Sequence, residues 1–588
     1  MRALKYLAPH AGVVVLILGL LLVQAFCDLM LPTLTADLVD TGIQRAVVSG
    51  SGADMGYLLA IGGKMIGVTA VGACASAVIS FLASRTGAAI GRDLRGRLFA
   101  TVVGFSRAEV QKFSAASLIT RATNDVQQIQ MISVLLMRVV LYAPILAIGG
   151  IIMVVRTQPG MGWIAVAAVV ATSLVVAVLI GVAMPKFRIM QKLIDRVNLV
   201  AREILTGIPV IRAFNRQSHE QARFDEANAN LRDTQLFTNR VMSLMRPLTM
   251  LVMNATSCLI VWVAAGFIGQ GAMETGQMIA FITYTMVIVM GFMMLSLIMM
   301  MLPRADISAG RIDEVLGTQP SVADAPHPLA GASAADAGAR IAFDGVTFRY
   351  DCGSEPALRD IGFVAEPGRT TAIIGPTGCG KSSILRLMTR SYDATEGTVS
   401  LDGEDVRDIP LDALHAQMGY VPQKAFLFAG TVRDNVAYGV PDATDEDIWK
   451  ALRIAQADSF VEELGGLDAE ISQGGTNVSG GQRQRLAIAR AVALPARAYL
   501  FDDSFSALDY STDAALRAAL ARELAGRTVV IVAQRISTIR NADTIIVLDE
   551  GRLAGKGTHA QLMETCGTYR EIATSQLSPE ELAAEGGA

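Results

Sequence analysis

The stretch TTAIIGPTGCGKSS, residues 370–383, joins a short apolar run to a glycine-rich loop. Its second part, GPTGCGKSS, fits the pattern G-x-x-x-x-G-K-[ST]. An apolar run of this length is typical of a buried β-strand. Glycines at these positions let backbone amides converge on phosphate oxygens. The stretch therefore predicts a phosphate loop between a strand and a helix, and with it nucleotide binding.

The positions in the loop can be given separate roles. The positive end of the helix that follows favours an anion, and the glycines allow close approach of the backbone. Lys381 supplies a positive charge, and Ser382 supplies a hydroxyl ligand for Mg²⁺. The predicted nucleotide contacts here are Gly375, Pro376, Thr377, Gly378, Cys379, Gly380, Lys381, Ser382 and Ser383.

The composition of the chain is that of a membrane protein. Its 588 residues exceed one ordinary domain, and 52% of them are apolar while only 18% are charged. The formal net charge of -4 gives no indication of nucleic-acid binding. The six cysteines show no spacing typical of a metal site or a disulfide framework. We therefore expect membrane lipid, and no nucleic acid, among the partners.

Six long apolar runs in the first half can each cross a bilayer as a helix, which needs about 20 apolar residues. Basic residues are concentrated in the connections after runs two and four, which places these connections in the cytoplasm. Both termini and the second half of the chain are then cytoplasmic, and we predict a multi-pass protein of the cell membrane. The runs are about 12–34, 57–83, 134–155, 163–184, 248–268 and 278–302.

The two cytoplasmic connections are long, but their periodicity is that of helices. We therefore expect the membrane helices to continue far into the cytoplasm. Their turning points, residues 105–126 and 202–215, contain Phe113 and Phe214. We expect these turns to transmit movement between the domains.

Residues 317–340 are rich in small residues and Pro, which predicts a linker. Beyond it, apolar runs of strand length such as IAFDGVTFRY, YLFDD and TVVIVAQ alternate with helical patterns. This alternation predicts an α/β domain with a largely parallel sheet. The predicted organisation is a transmembrane domain over 1–316, a linker over 317–340, a nucleotide-binding domain over 341–575 and a tail over 576–588.

The stretch NVSGGQRQR, residues 477–485, places Ser-Gly-Gly at a predicted helix start, a second position suited to anionic oxygen. With this stretch the chain resembles an ABC transporter half of the exporter type, over nearly its whole length. The resemblance implies six α-helical membrane spans fused to an α/β P-loop domain, with ATP and Mg²⁺ as cofactors. It also implies a second half as partner, because Ser479, Gly480, Gly481 and Gln482 would complete the site on the partner's phosphate loop.

The resemblance assigns three further positions. Tyr350 matches the aromatic residue that stacks on adenine. Gln423 matches the glutamine that contacts Mg²⁺ and senses the membrane domain, and Asp502 matches the Walker B carboxylate that orders Mg²⁺. The implied Mg²⁺ contacts are Ser382, Gln423 and Asp502.

Two positions depart from the family's pattern. Asp503 stands where such transporters usually carry a glutamate that polarises the attacking water. One methylene fewer withdraws the carboxylate by roughly 1.5 Å, and a misplacement of about 1 Å can cost about 10²-fold in rate. Gln534 replaces the usual histidine, and an amide can form a hydrogen bond but cannot carry a proton charge. We expect a half-site that binds ATP and hydrolyses it slowly, while Ser479 completes a partner's site.

This asymmetry resembles the degenerate-site subunit of heterodimeric bacterial multidrug exporters. The partner is then expected to be non-identical and to carry Glu and His at the positions equivalent to 503 and 534. The sequence leaves three alternatives open. They are a homodimeric exporter with slow turnover at Asp503, an importer of the same fold, and an ATP-gated channel or regulatory subunit.

The expected substrate is a small amphipathic or hydrophobic compound, drug-like or lipid-like. The methionines of run six suit varied apolar ligands, but they also suit lipid-facing or packing positions. Asp28 in run one is a carboxylate at membrane depth, where it usually faces an interior or a cavity, although near a helix end it can reach the interface. The methionines are Met278, Met286, Met290, Met293, Met294, Met299, Met300 and Met301.

Overall fold

The computed structural model describes residues 2–44, 55–325, 337–350, 353 and 355–577, without the side chains of residues 2–4, 188, 296–300 and 303. Residues 326–336 of the predicted linker and the tail from residue 578 onward lie outside this part. The chain divides into two compact units. Of the described residues, those up to 102 and those from 116 to 318 form the membrane unit, and those from 103 to 115 and from 319 onward form the nucleotide unit.

Six helical segments of the membrane unit are long and apolar enough to cross a membrane. The predicted apolar runs lie within these segments and within the helix Thr275–Gly317, so the prediction of six membrane helices is confirmed. The segments are Lys5–Gln44, Met55–Val103, Ala115–Thr157, Pro159–Ala213, Gln217–Gly269 and Thr275–Leu295.

Several of these segments are interrupted or extended by other helix types. Segment one begins with a 3-10 helix and ends with a π-helical turn, and segment three contains two π-helical turns. The elements are Arg2–His10, Ala11–Asp37, Leu38–Gln44, Met55–Val103, Ala115–Thr120, Arg121–Asp125, Val126–Leu135, Leu136–Val140, Tyr142–Thr157, Pro159–Met161, Gly162–Ala213, Gln217–Ser243, Met245–Gly269 and Thr275–Gly317.

Two helices are much longer than a bilayer is thick. Met55–Val103 has 49 residues and Gly162–Ala213 has 52. At a rise of 1.5 Å per residue each is about 75 Å long, against about 30 Å for the hydrocarbon core. Each helix therefore extends well beyond the membrane, as the periodicity of the two connections predicts.

A buried carboxylate fixes the start of the sixth span. Asp40 Oδ1 accepts a hydrogen bond from the Gly276 amide at 2.5 Å, and Asp40 Oδ2 accepts one from the Gln277 amide at 3.2 Å. These amides belong to the first turn of Thr275–Gly317 and have no partner within that helix. A Cβ at Gly276 would lie 2.4 Å from the carbonyl oxygen of Ala36, so glycine permits this close approach.

The nucleotide unit is an α/β fold with two main sheets. A six-stranded sheet has the order β12-β11-β3-β10-β9-β6, and a four-stranded sheet has the order β2-β1-β4-β5. The strands are β1 (Ile341–Phe348), β2 (Leu358–Ala365), β3 (Thr370–Ile374), β4 (Glu396–Leu401), β5 (Glu404–Asp405), β6 (Met418–Val421), β7 (Gly430–Thr431), β8 (Glu470–Ile471), β9 (Ala498–Asp502), β10 (Thr528–Val532), β11 (Thr544–Asp549) and β12 (Arg552–Gly557).

The order of the larger sheet positions the candidate site. Strands β3, β10 and β9 are adjacent and parallel, so their carboxyl ends meet at one edge. The phosphate loop follows β3, Asp502 ends β9, and Gln534 lies two residues after β10. The prediction of a largely parallel sheet is confirmed for this sheet, whereas IAFDGVTFRY contributes β1 to the antiparallel four-stranded sheet.

Helices cover the sheets of the nucleotide unit. In the described part they are Arg107–Phe113, Lys381–Met388, Leu411–Ala416, Val432–Val436, Asp445–Ile454, Asp458–Leu464, Gly480–Ala493, Tyr510–Glu523, Ile536–Ile539, His559–Thr565 and Gly567–Gln576.

The short helix Arg107–Phe113 is the first cytoplasmic turn, and it packs within the nucleotide unit. Ala108 contacts the hydrophobic core cluster that includes Phe348. The Tyr392 hydroxyl donates to Gln111 Oε1 at 3.3 Å, and Phe113 is buried. In the second turn Phe214 is 74% exposed within the chain. Of the two turns expected to transmit movement, the first is therefore already seated against the nucleotide unit.

Candidate nucleotide-binding site

The phosphate loop has a backbone that favours glycine at three positions. Gly380 has φ 99°, and a Cβ there would lie 2.6 Å from Leu358 Cδ2. A Cβ at Gly375 would lie 2.1 Å from the carbonyl oxygen of Leu548. At Gly378 a Cβ would meet nothing within 4 Å, but the φ of 87° is one that other residues rarely adopt. The loop is thus pressed against the protein at its two ends and has room around its middle.

Lys381 lies across this loop. Its ammonium group donates to the carbonyl oxygens of Gly375 at 2.7 Å and Pro376 at 2.8 Å, and the residue is only 9% exposed. The neighbouring Cys379 is buried, and burial raises the pKa of its thiol. The loop therefore presents the positive charge of Lys381 beside its backbone amides. The neutral thiol of Cys379 packs beneath them.

Ser382 and Asp502 come together as the sequence predicts for a Mg²⁺ site. Ser382 Oγ donates to Asp502 Oδ1 at 2.9 Å, and Asp502 is 3% exposed. Burial raises the pKa of Asp502, and the hydrogen bond from Ser382 opposes that rise. A carboxylate and a hydroxyl are the hard oxygen donors that Mg²⁺ prefers, and a cation would offset the cost of burying the charge. These two residues fit the metal.

The exposed Gln423 contacts a different carboxylate. Its Nε2 lies 3.4 Å from Asp503 Oδ2, and the closer donor to the same oxygen is Gln534 Nε2 at 2.8 Å. The three predicted residues Gln423, Asp503 and Gln534 therefore form one cluster at the carboxyl ends of β9 and β10. Burial raises the pKa of Asp503, while the hydrogen bond from Gln423 lowers it.

The backbone of Asp503 is in the left-handed region, with φ 47°. Among non-glycine residues, Asp and Asn enter this region most readily. The short side chain therefore suits the local conformation, although it reaches less far than glutamate would. The chain turns immediately after β9 ends. The amide of Asp503 still donates to the carbonyl oxygen of Val532 in β10, at 2.9 Å.

Tyr350 lies beside the phosphate-loop helix. Its hydroxyl is 2.8 Å from Ser383 Oγ and accepts a hydrogen bond from Arg386 Nη1 at 2.8 Å. Its ring packs edge-on against Phe348, with 4.6 Å between the centroids. The structure thus places the predicted adenine-stacking residue next to the loop, with its hydroxyl engaged by that helix.

The signature residues begin another helix of the same unit. Ser479 caps the 14-residue helix Gly480–Ala493, and its Oγ accepts from the Gln482 amide at 3.2 Å. Gln482 Oε1 accepts in return from the Ser479 amide at 2.9 Å. Ser479 and Gly480 are exposed, and among the described residues no hydrogen bond links Ser479 to the phosphate loop. This capped helix start is therefore available to an anion from outside the chain.

Sequence reasoning missed two residues of this region. Arg386 holds the Tyr350 hydroxyl, and Gln576 contacts the backbone of Gln534. Arg386 lies one helical turn beyond Ser382, which is a signal that helix periodicity could have supplied. Gln576 lies far along the chain, and nothing in its local sequence indicates the contact.

Comparison with known proteins gives the same two-part organisation. Residues 14–292 match the family described as the ABC transporter transmembrane region, and residues 358–506 match the family described as ABC transporter. The chain is also similar to a solved bacterial Atm1-family ABC exporter with ATP bound. The TM-score is 0.76 and the identity is 26%, with 97% of this chain and 99% of the other covered.

Similarity also extends over whole relatives. An uncharacterized ABC transporter ATP-binding protein from Mycobacterium tuberculosis (strain CDC 1551 / Oshkosh) is 40% identical over 97% of both chains. Another from Bacillus subtilis (strain 168) is 34% identical over 98% of this chain and 99% of its own. The ATP-dependent lipid A-core flippase of Pseudomonas fluorescens is 30% identical over 97% of this chain and 95% of its own.

The fold, the phosphate loop and these similarities lead to one conclusion. Exporters with this fused architecture bind ATP, act as dimers and lie in the inner membrane with their nucleotide-binding domains in the cytoplasm. The chain belongs to the ABC transporter family, as an ATP-driven exporter with a transmembrane and a nucleotide-binding part fused in one polypeptide.

Proposed function

We propose that this chain is one half of a heterodimeric exporter, in which its own phosphate-loop half-site holds ATP and hydrolyses it slowly. The observation that carries the proposal is the pair formed by Asp503 and Gln534. The Asp503 carboxylate accepts the Gln534 amide at 2.8 Å, so both departures from the family's pattern meet at one point. The binding residues around them are complete.

The chemistry of this pair favours retention of ATP over hydrolysis. An attacking water needs a base within about 3 Å. The carboxylate at position 503 is shorter than glutamate by one methylene, and one of its oxygens already accepts two amide hydrogen bonds. Gln534 can donate to a phosphate oxygen, but it cannot store a proton as histidine does.

Magnesium, when bound, would offset negative charge on the phosphates. In this chain Ser382 and Asp502 would hold it, and Lys381 would hold the terminal phosphates through its ammonium group. Gln423 and Gln534 would then orient Asp503 towards that end of the nucleotide. The residues of this half-site thus bind and orient ATP.

The exposed signature supports the second part of the proposal. Ser479 and the first amides of Gly480–Ala493 would complete the site on the partner's phosphate loop. We expect the partner to supply Glu and His there, so that hydrolysis occurs mainly opposite Ser479. ATP at both sites would favour the closed arrangement, and hydrolysis at the partner's site would release it.

The proposed substrate is a small amphipathic compound, drug-like or lipid-like. The similarity to a lipid A-core flippase supports a lipid-like substrate. Asp28 supports a polar head group, since the Tyr142 hydroxyl donates to it inside the membrane unit, and among the described residues it has no ion pair. Of the run-six methionines with described side chains, Met290 and Met294 are exposed. The side chains of Met299 and Met300 lie outside the described part.

A second candidate, a homodimer that hydrolyses ATP slowly with Asp503 as the base, is favoured by one observation. Burial raises the pKa of Asp503, which brings a carboxylate closer to the range of a useful general base. In that case the chain would complete its own site with Ser479 from a second copy.

The experiment is Mg-ATP hydrolysis by the purified chain in lipid nanodiscs, with ATP binding measured in the same sample. The heterodimer proposal expects binding with almost no turnover, and turnover after the partner half is added. Rapid turnover by the chain alone that is lost in Asp503→Asn would refute it in favour of the homodimer. Asp442→Asn, at an exposed loop position, serves as the matched control.

A further inference from the structure

The last described helix, Gly567–Gln576, is firmly anchored in the nucleotide unit. Tyr569 and Ala573 are fully buried. They belong to one hydrophobic cluster with Ile536, the first residue of the short helix Ile536–Ile539 that follows Gln534. The end of the helix Gly567–Gln576 therefore has a fixed position beside the loop that carries Gln534.

Gln576 uses this position to hold the loop by two hydrogen bonds. Its Nε2 donates to the carbonyl oxygen of Gln534 at 2.8 Å, and its Oε1 accepts from the amide of Ile536 at 2.8 Å. The N-cap residue Arg535 provides no side-chain hydrogen bond to the helix Ile536–Ile539. The first amide of a helix needs such a partner. Gln576 supplies it from another helix.

The loop held in this way makes two contacts with the segment after β9. Gln534 Nε2 donates to Asp503 Oδ2 at 2.8 Å, and Arg535 Nη2 donates to the carbonyl oxygen of Ser506 at 3.2 Å. Gln576 bonds to the backbone on either side of Arg535. The positions of both donating side chains therefore depend on the backbone that Gln576 fixes.

We propose that Gln576 is a positioning residue of the nucleotide site, which keeps the Gln534 side chain on Asp503 and thereby slows the release of bound ATP. The inference rests on the proposed function, in which this half-site retains ATP. A side chain on a loop is only as well placed as the contacts that support the loop. The helix Gly567–Gln576 would thus determine how long ATP stays bound, without contacting it.

The test measures the dissociation rate of a fluorescent Mg-ATP analogue from the full chain in nanodiscs, by chase with unlabelled ATP. Gln576→Met keeps the length of the side chain and removes both hydrogen bonds. Each lost hydrogen bond corresponds to roughly a 2- to 10-fold change, so with both removed we expect release at least about fivefold faster. The matched control is Gln561→Met, which removes a similar hydrogen bond at the start of the preceding helix, where the Thr558 amide donates to Gln561 Oε1.

The dissociation rate separates positioning from stability. A purely structural role would lower the amount of folded protein, but it would leave the release rate of the folded molecules unchanged. A double-mutant cycle with Gln534→Ala adds a second criterion. If Gln576 acts through Gln534, then Gln576→Met should add little to the effect of Gln534→Ala on release.

Two results would overturn the inference while leaving the proposed function intact. One is release from Gln576→Met at the same rate as from Gln561→Met. The other is a full, additive effect of Gln576→Met in the Gln534→Ala background. If the unaltered chain fails to retain ATP, the proposed function itself fails, and the inference fails with it. Gln576→Glu keeps the acceptor for Ile536 and replaces the donor with a carboxylate oxygen that repels the Gln534 carbonyl oxygen, so it tests the same contact if Gln576→Met folds poorly.

Discussion

Lengthening the carboxylate at position 503 should convert a retaining site into a hydrolysing one. Asp503→Glu advances the carboxylate by roughly 1.5 Å. Because a misplacement of about 1 Å can cost about 10²-fold, we expect kcat for ATP to rise by about 10²-fold when Gln534→His is added to restore the usual partner. ATP binding itself should persist, since the phosphate loop, Ser382 and Asp502 are untouched.

The backbone conformation at position 503 determines how much folding stability Asp503→Glu would lose. Residue 503 has φ 47°, a conformation that Glu adopts less readily than Asp. The left-handed conformation costs about 1–2 kcal/mol for a typical residue. This is small against an unfolding free energy of about 5–15 kcal/mol, so the variant should fold.

The assay is steady-state phosphate release by the chain in nanodiscs, with ATP binding checked on each variant. Asp503→Asn should stay at the basal rate, because it keeps the size of the side chain and removes the base. Asp442→Glu makes the same chemical change at an exposed loop position and should have no effect. If the double variant binds ATP and still releases phosphate at the basal rate, the reach of the carboxylate is not what limits this site.

Two further substitutions test other parts of the molecule. Burial raises the pKa of Asp502 above its unfolded value, so the nucleotide-free chain should lose stability as the pH rises from the usual carboxyl range through that raised pKa. Asp502→Asn should remove the contribution of this carboxyl to the pH dependence of thermal unfolding and should also abolish Mg²⁺-dependent ATP binding, and an unchanged pH profile would refute the assignment. In the membrane unit, Asp28→Asn should lower the transport of cationic amphiphiles by about tenfold relative to neutral ones, the effect of one lost hydrogen bond to a charged group, as measured by uptake into inside-out vesicles. Asp37→Asn, at an exposed position farther along the same segment, is the control, and equal loss for both substrate classes would show that Asp28 has only a structural role.

The sequence was sufficient for features that depend on neighbouring residues. The phosphate loop from Gly375 to Ser383 carries its own pattern, and Asp502 ends an apolar run, so both could be placed at the carboxyl ends of strands. The six spans follow from length and composition alone. Ser479 could be placed at a helix start because the residues that cap it are adjacent in sequence.

The remaining features depend on which strands and helices become neighbours. The sequence shows that Asp503 and Gln534 each depart from the family's pattern. Their hydrogen bond, however, arises only because β9 pairs with β10. The bond of Gln576 to the Gln534 backbone needs a helix that returns to the sheet from far along the chain. The Tyr350 hydroxyl accepts a hydrogen bond from Arg386 because the helix after the phosphate loop passes beside the end of β1. No local pattern encodes these long-range contacts.

The first cytoplasmic turn, residues 103–115, has a consequence for how the polypeptide can be divided. The peptide passes between the two units at three places, after residues 102, 115 and 318. A break in the backbone between Thr318 and Ile341 would cut one of these passages and leave residues 103–115 seated in the nucleotide unit through Ala108, Gln111 and Phe113. The first fragment would keep residues 103–115, and the second would keep the rest of the nucleotide unit. If the two fragments are synthesised separately, they should therefore reassemble through this turn into one transporter half.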